Sequence, residues 1–412
     1  MSGELTSGTD TAVVVPLPLF RTGKPHIVRP AGGVPCGYCG SRNTEKMELP
    51  GVDCAWVCLD CGRRFAPITR PRVEFTPEIS RSILRMHFEE GLDYRRIVHR
   101  LRDEGMTRVN HMQIHREVDQ LVTAAKDGNQ VARELGLRLS GYLGLDRTKV
   151  KVGGSSRYVL IMIDAVTWYL HACELLEHPL ETQDDRWMVE SIRRQLETIY
   201  AGRAKPVMVV IDDDPIHQQA VIEALGSNQP IQLCLRHVAD HLDKLMPTTR
   251  NPKIPGWRRA KWKQLKQVID RILQAPTQQE FDSRLKALLD SRWWLHDGKM
   301  ESGVKYICDR YSLIVTHYRF PGAPRTNNVC ERRTQDVKRW SRRRRGFKNP
   351  DSARAKLRMK ANQLNFSPFT DSETGLNGKS PEELSGGPTN ADWVQICAPK
   401  STTNRRHHRY IH

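Results

Sequence analysis

The 412-residue sequence lacks any stretch approaching about 18 uninterrupted apolar residues. That excludes an ordinary membrane-spanning helix. Its N-terminal apolar run, AVVVPLPLF, is broken by prolines and has no basic region ahead of it, so it does not read as a secretion signal. No tandem repeat is present, which excludes solenoid and propeller architectures. Acids are scarce: 47 Asp and Glu stand against 65 Lys and Arg, a net charge of +18. Such a chain suits a polyanionic partner, nucleic acid first, better than an acidic small substrate. The ten cysteines do not form a disulfide framework. They fall as two CxxC pairs plus scattered singles, a usage that points to metal binding in a reducing compartment.

The length is enough for two or three domains. Residues 1–30 are rich in Gly, Ser, Thr and Pro and read as a loose tail, as do residues 363–412. Between the tails lie a cysteine-rich segment over 31–68, a helical segment over 74–127, and a longer region over 140–362. The last begins with apolar strands alternating with helices (YLGLDRTKVKV, SRYVLIMIDAVTWYLHACELLEH, KPVMVVIDDDP, IQLCLRHV), which is α/β patterning. From 238 to 319 the pattern becomes wholly helical, with an apolar set that includes Trp262, Leu265, Ile269, Phe281 and Leu285.

Cys36 and Cys39, then Cys58 and Cys61, are each separated by two residues, with eighteen between the pairs. That spacing presents four thiolates to one Zn²⁺, and the short Gly-rich segment has too few apolar residues to fold without a staple. Arg63 and Arg64 beside the last knuckle are placed to touch phosphates. Three short helices follow, punctuated at Gly91 and Gly105, with Ile83, Ile97, Val98, Leu101, Ile114, Val118 and Leu121 as their inner face. The third is expected to carry His111, Gln113, His115 and Arg116 outward, as a helix-turn-helix does when it reads a major groove.

Two of the apolar strands deliver acids. Asp146 interrupts one, and Asp212 directly follows five apolar residues. A carboxylate in either place is costly unless paired or bound to a cation. The period-two alternation of a strand favours Asp212 over Asp213 and Asp214, while Asp164 is a rival to Asp146. A third acid, Glu331, stands in RTNNVCERRTQDVKRWSRRRRGF, residues 325–347. If this stretch is helical, Gln335, Lys338, Arg342 and Arg345 lie within about 40° of Glu331, and Val329, Val337, Trp340 and Phe347 lie opposite. One face packs and the other offers a carboxylate followed by cations, with Arg339 and Arg343 beside them. Three such acids make a site for Mg²⁺ or Mn²⁺, which prefer a few hard oxygen ligands and leave room for phosphate.

These segments, together with LCLRHVADHLDKL, resemble the DDE catalytic domain of transposases of the Mutator-like superfamily and its insertion-sequence relatives, over roughly residues 140–362. The resemblance implies an RNase H-like α/β core interrupted by an all-α insertion over 238–319. It implies Asp146, Asp212 and Glu331 as the catalytic, metal-binding acids, Cys234 and His237 as a CxxH pair, and Asp164 outside the catalytic set. The implied function is a DNA transposase that binds terminal inverted repeats of double-stranded DNA, cleaves and joins strands with Mg²⁺, and works as a homo-oligomer. It would act at the nucleoid or in a nucleus. Two alternatives stay open here: a DNA-binding regulator derived from a transposase, and an RNase H-like nuclease without strand transfer.

Overall fold

The structure is a computed structural model that describes residues 26–28, 36, 38–49, 52–65, 75–179, 185–202, 204–249, 253–344, 346–370 and 375–398. Arg345 and nearly all of the first tail lie outside these residues. The chain divides into two compact units, residues 1–74 and 75–412.

The first unit is an antiparallel sheet of β1 (His26–Val28), β2 (Thr44–Leu49), β3 (Val52–Cys58) and β4 (Arg64–Phe65), in that order. Its small core consists of Cys36, Trp56, Cys58 and Phe65. Each CxxC closes a tight turn: Gly40 N–H donates to Cys36 O at 2.7 Å and Gly62 N–H to Cys58 O at 2.9 Å. Both glycines have positive φ, 75° and 68°, a conformation that a side chain would strain.

The second unit opens with α1 (Pro77–Phe88), α2 (Tyr94–Asp103), α3 (His111–Thr123) and α4 (Gly128–Glu134). Thr76, Asp93, Asn110 and Asp127 cap them through side-chain acceptors. Then come β5 (Tyr142–Val152), β6 (Ser155–Asp164), β7 (Leu170–Pro179), α5 (Asp185–Tyr200), β8 (Met208–Ile211), α6 (Pro215–Leu225) and β9 (Ile231–Leu233). The five strands form a mixed sheet ordered β7-β6-β5-β8-β9. β5, β6 and β7 pair antiparallel, while β8 runs parallel to β5 and β9 parallel to β8. Strand β8, MVVI, is buried throughout, as suits a strand between two parallel neighbours.

Alternation along β5 sorts its side chains between two helical layers. Leu143 and Leu145, with Leu160 and Met162 of β6, join a core completed by Ile192 and Leu196 of α5 and Ala220 and Val221 of α6. Asp146 points the other way, toward α12 (Asn328–Arg343), which with α13 (Pro350–Asn365) covers the opposite face. Gly144 permits this approach: a Cβ there would lie 2.8 Å from Asn327 Oδ1 and 3.0 Å from Ile163 Cγ2.

Between β9 and α12 the chain is helical, through α7 (Leu235–Leu245), α8 (Gly256–Leu273), α9 (Gln278–Ser291), α10 (Gly298–Asp309) and α11 (Tyr311–Ile314). These helices share a core of their own that includes Trp262, Leu265, Ile269, Phe281 and Met300.

Three expectations are corrected. First, α12 ends at Arg343 instead of running on to 347. Gly346 turns at φ 87°, where a Cβ would meet Lys151 O at 2.6 Å, and Phe347 instead bridges to Val152. Second, the outward face of α3 is partly turned in. His115 stacks edge-on against Tyr94 with centroids 5.0 Å apart and lies 3.4 Å from Asp119. Gln113 closes the cap on Asn110, while His111 and Arg116 are exposed. Of the inner set, Leu121 is only half-buried, and Val122 is buried instead. The cause is packing of α3 on α13, where Lys356 Nζ reaches Asp119 at 2.7 Å. Third, the stretch read as a C-terminal tail contains structure. Helix α14 (Pro381–Leu384) and helix α15 (Trp393–Cys397) lie within it, and buried Trp393 sets its ring edge to Phe88 at 6.4 Å.

Candidate metal centres

A cleft of about 450 Å³ opens where β5, the end of β8, α7 and α12 meet, and Asp146, Asp212, His237, Glu331, Thr334 and Arg339 line it. Three elements thus bring three of the expected acids together. Asp146 is held on both oxygens: Arg147 N–H donates to Oδ1 at 2.6 Å and Thr334 O–H to Oδ2 at 2.7 Å. Asp212, one residue beyond β8, lies with Oδ1 3.0 Å from His237 Nδ1 and 3.4 Å from Asn327 Nδ2. Glu331, in the first turn of α12, has Oε1 3.7 Å from His237 Nδ1 and Oε2 3.9 Å from Arg236 Nε.

The electrostatics follow from crowding acids in a half-closed space. Burial raises the Asp146 carboxyl above its usual range despite the Thr334 hydrogen bond. Burial pushes Asp212 up to about 6, and the neighbouring charges of Asp146 and Glu331 add to this. His237 moves up to about 9 through its hydrogen bond with Cys234 and the charges of Asp212 and Glu331, which together outweigh burial. The cleft therefore favours a cation among its carboxylates. Glu331 Oε1 is buried without a hydrogen-bond partner, an atom in need of a positive ligand.

The neighbouring acids have other tasks. Asp213 accepts from Arg310 Nε at 2.7 Å. Asp214 caps α6 through Ile216 N–H and pairs with Arg147 at 2.6 Å. Asp164 is closed on itself in a turn, accepting from Ser140 N–H, Ser140 O–H, Val166 N–H and Thr167 N–H at 2.6–3.0 Å.

Asn327 and Thr334 escaped the residue-by-residue reading. Asn327 donates from Nδ2 to Leu145 O at 2.8 Å and from its backbone N–H to Cys234 Sγ at 3.1 Å, tying α12 to β5 and α7. The TNN tripeptide ahead of Glu331 was the available signal. Thr334 stands one turn after Glu331 on the same helix, a spacing that marks a shared face.

The basic run divides. Arg339, Arg342 and Arg343 are exposed and Lys338 half-buried. Arg333 is buried against the rings of Trp168 and Phe369, 5.7 and 5.1 Å away. Arg344 lies 4.2 Å over Trp340 and donates to His87. Arg344 ties the end of α12 to α1, and Arg333 packs α12 against the turn after β6 and the chain beyond α13.

In the first unit, Cys36, Cys39, Cys58 and Cys61 have sulfurs within 4.8 Å of one another. The Cys36–Cys61 and Cys39–Cys58 separations are 3.7 and 3.6 Å. Four thiolates around a tetrahedral zinc stand about 3.8 Å apart. The cluster is close enough to hold a zinc ion. Arg63 lies 4.8 Å over the Tyr38 ring, and it and Arg64 are exposed.

Among the described residues, no helix is long and apolar enough to cross a membrane. The sequence matches no model of a known protein family and no curated protein.

Proposed function

We propose that the chain is a DNA transposase of the DDE type, with an RNase H-like catalytic core, an all-α insertion, and an N-terminal zinc ribbon and helix-turn-helix-like segment that bind the element's ends. The observation that carries this reading is the convergence of Asp146, Asp212 and Glu331 on one cleft, with a Glu331 oxygen lacking any hydrogen-bond donor. The strand order β7-β6-β5-β8-β9, three antiparallel strands joined to two parallel ones, is the arrangement expected of an RNase H-like core and supports it. Zinc held by the four cysteines would staple the ribbon.

Asp146, Asp212 and Glu331 would hold Mg²⁺, which supplies positive charge to phosphoryl oxygens during in-line displacement. The chain's own groups prepare that site. Thr334 and the Arg147 N–H orient Asp146, and Asn327 orients Asp212. Arg236, Arg332 and Arg339 border the cleft and attract the phosphate backbone. Arg342 and Arg343 extend the cationic face along α12, while His111 and Arg116 are the exposed polar groups at the start of α3. A homo-oligomer brings two ends together.

The test uses the full chain with duplexes carrying the inverted repeats that flank its coding DNA. Cleavage is expected only with Mg²⁺ or Mn²⁺, and Asp146→Asn and Glu331→Gln should lose it by orders of magnitude while still binding. Joining of pre-cut ends separates a transposase from a nuclease. Full cleavage by either variant refutes the assignment.

A further inference from the structure

We propose that the cleft contains a second, softer metal site, built from Asp212, Cys234 and His237, which takes a zinc-class ion and thereby withdraws Asp212 from magnesium. The binding stands on geometry alone; the competition rests on the catalytic reading above. One ligand atom from each residue lies within 4.8 Å of the others, and Asp212 Oδ1 and His237 Nδ1 are already 3.0 Å apart. Zinc bonds of about 2.0–2.3 Å set tetrahedral ligand atoms roughly 3.3–3.8 Å apart. Closing the set from separations of at most 4.8 Å takes shifts of about 1 Å.

Cys234 caps α7 and His237 follows three residues later, so both side chains leave the same side of the helix's first turn. Cys234 makes no capping hydrogen bond to α7. Its sulfur instead accepts the Asn327 backbone N–H at 3.1 Å, which fixes its position beside the cleft. The Asn327 side chain reaches Asp212, so one residue supports two of the three ligands. His237 Nδ1 is buried and lies 3.0 Å from Asp212 Oδ1, and the His237 side chain also hydrogen-bonds Cys234, so the imidazole already contacts both of the other ligands. Glu331 Oε1, 3.7 Å from His237 Nδ1, is a candidate for a fourth ligand.

Ligand chemistry separates the two ions. Magnesium needs hard oxygens in octahedral array and makes little use of a thiolate or an imidazole. Zinc prefers both, and its binding displaces the thiol proton of Cys234 and one ring proton of His237, both released to solvent. Because Asp212 belongs to both sets, zinc bound here takes a carboxylate oxygen that catalytic magnesium would otherwise use.

The experiment equilibrates the full chain with roughly 20 µM zinc chloride in millimolar Mg²⁺, removes free metal by desalting, and counts bound zinc by mass spectrometry. Wild type should hold about two ions per chain, one in the four-cysteine cluster, and Cys234→Ser or His237→Gln about one. In cleavage assays the same zinc should slow wild type about tenfold or more, while Cys234→Ser stays within about twofold of its own zinc-free rate, a difference of at least about 1 kcal/mol in zinc's effect. Wild type holding about one ion, or both variants holding two, overturns the site. Two ions with zinc-insensitive cleavage overturns the competition. If wild type never cleaves, the catalytic reading fails and the zinc count alone decides the site.

Discussion

Replacing Asp212 with Asn should have opposite effects on activity and on stability. In the metal-free fold, burial and the charges of Asp146 and Glu331 raise this carboxyl from 3.8 to about 6. At neutral pH the ionised form therefore destabilises the fold by about 3 kcal/mol relative to a neutral group of the same shape. Asparagine keeps the shape without the charge. Metal-free Asp212→Asn should thus be about 2–3 kcal/mol more stable than wild type at pH 7.5, a rise of several degrees in melting temperature for a unit of this size. The sign with pH follows from proton linkage. Between pH 3.8 and about 6 the folded wild type binds a proton that the unfolded chain has lost, so this group's contribution to stability falls as pH rises through that window. The advantage of the variant should be near zero at pH 4 and complete by pH 7. Magnesium should stabilise wild type in calorimetry and leave the variant nearly unmoved, while cleavage by the variant falls by orders of magnitude. A variant less stable than wild type at pH 7.5, or one stabilised equally by magnesium, would refute the electrostatic account of the cleft.

Thr334→Val removes the donor to Asp146 Oδ2, and losing a charged hydrogen bond worth about 1.5 kcal/mol should move the acid limb of the pH–rate profile up by about one pH unit; an unmoved profile dismisses that bond. Cys58→Ser should abolish zinc binding by the first unit and melt its sheet, read as lost amide dispersion in NMR, while residues 75–412 stay folded; a dispersed sheet without zinc would show that its four-residue core suffices. Replacing Arg339, Arg342 and Arg343 together should weaken DNA binding and reduce the magnitude of the salt slope by up to about three, and an unchanged slope would make that face merely solvated. Arg333→Met should leave the salt slope unchanged, because Arg333 lies buried between Trp168 and Phe369, away from solvent phosphate.

Local features were legible in the sequence: the paired CxxC spacing, helices punctuated at Gly91 and Gly105, an apolar run ending at Asp212, and the switch from α/β to helical patterning after β9. Turn chemistry, capping and burial periodicity act over a few residues, so they are written in adjacent letters. Assignment among similar groups required the tertiary structure. Asp212, Asp213 and Asp214 are consecutive, yet His237, Arg310 and Arg147, far away in sequence, decide which one faces the cleft. Asp164 had the strand setting of a site acid, and besides the N–H donors of its own turn it is held by Ser140, which agrees with the place outside the catalytic set that the resemblance implied. Within one basic run, contact with Trp168, Phe369 and His87 turned Arg333 and Arg344 inward, while Arg339 and Arg342 stayed in solvent. The polar C-terminal stretch looked loose because its few apolar residues are widely spaced; a partner face on α1 and α13 allows Trp393 to bury. Charge and polarity alone do not say which neighbour a side chain meets, because that choice depends on contacts between segments 25 to 257 residues apart.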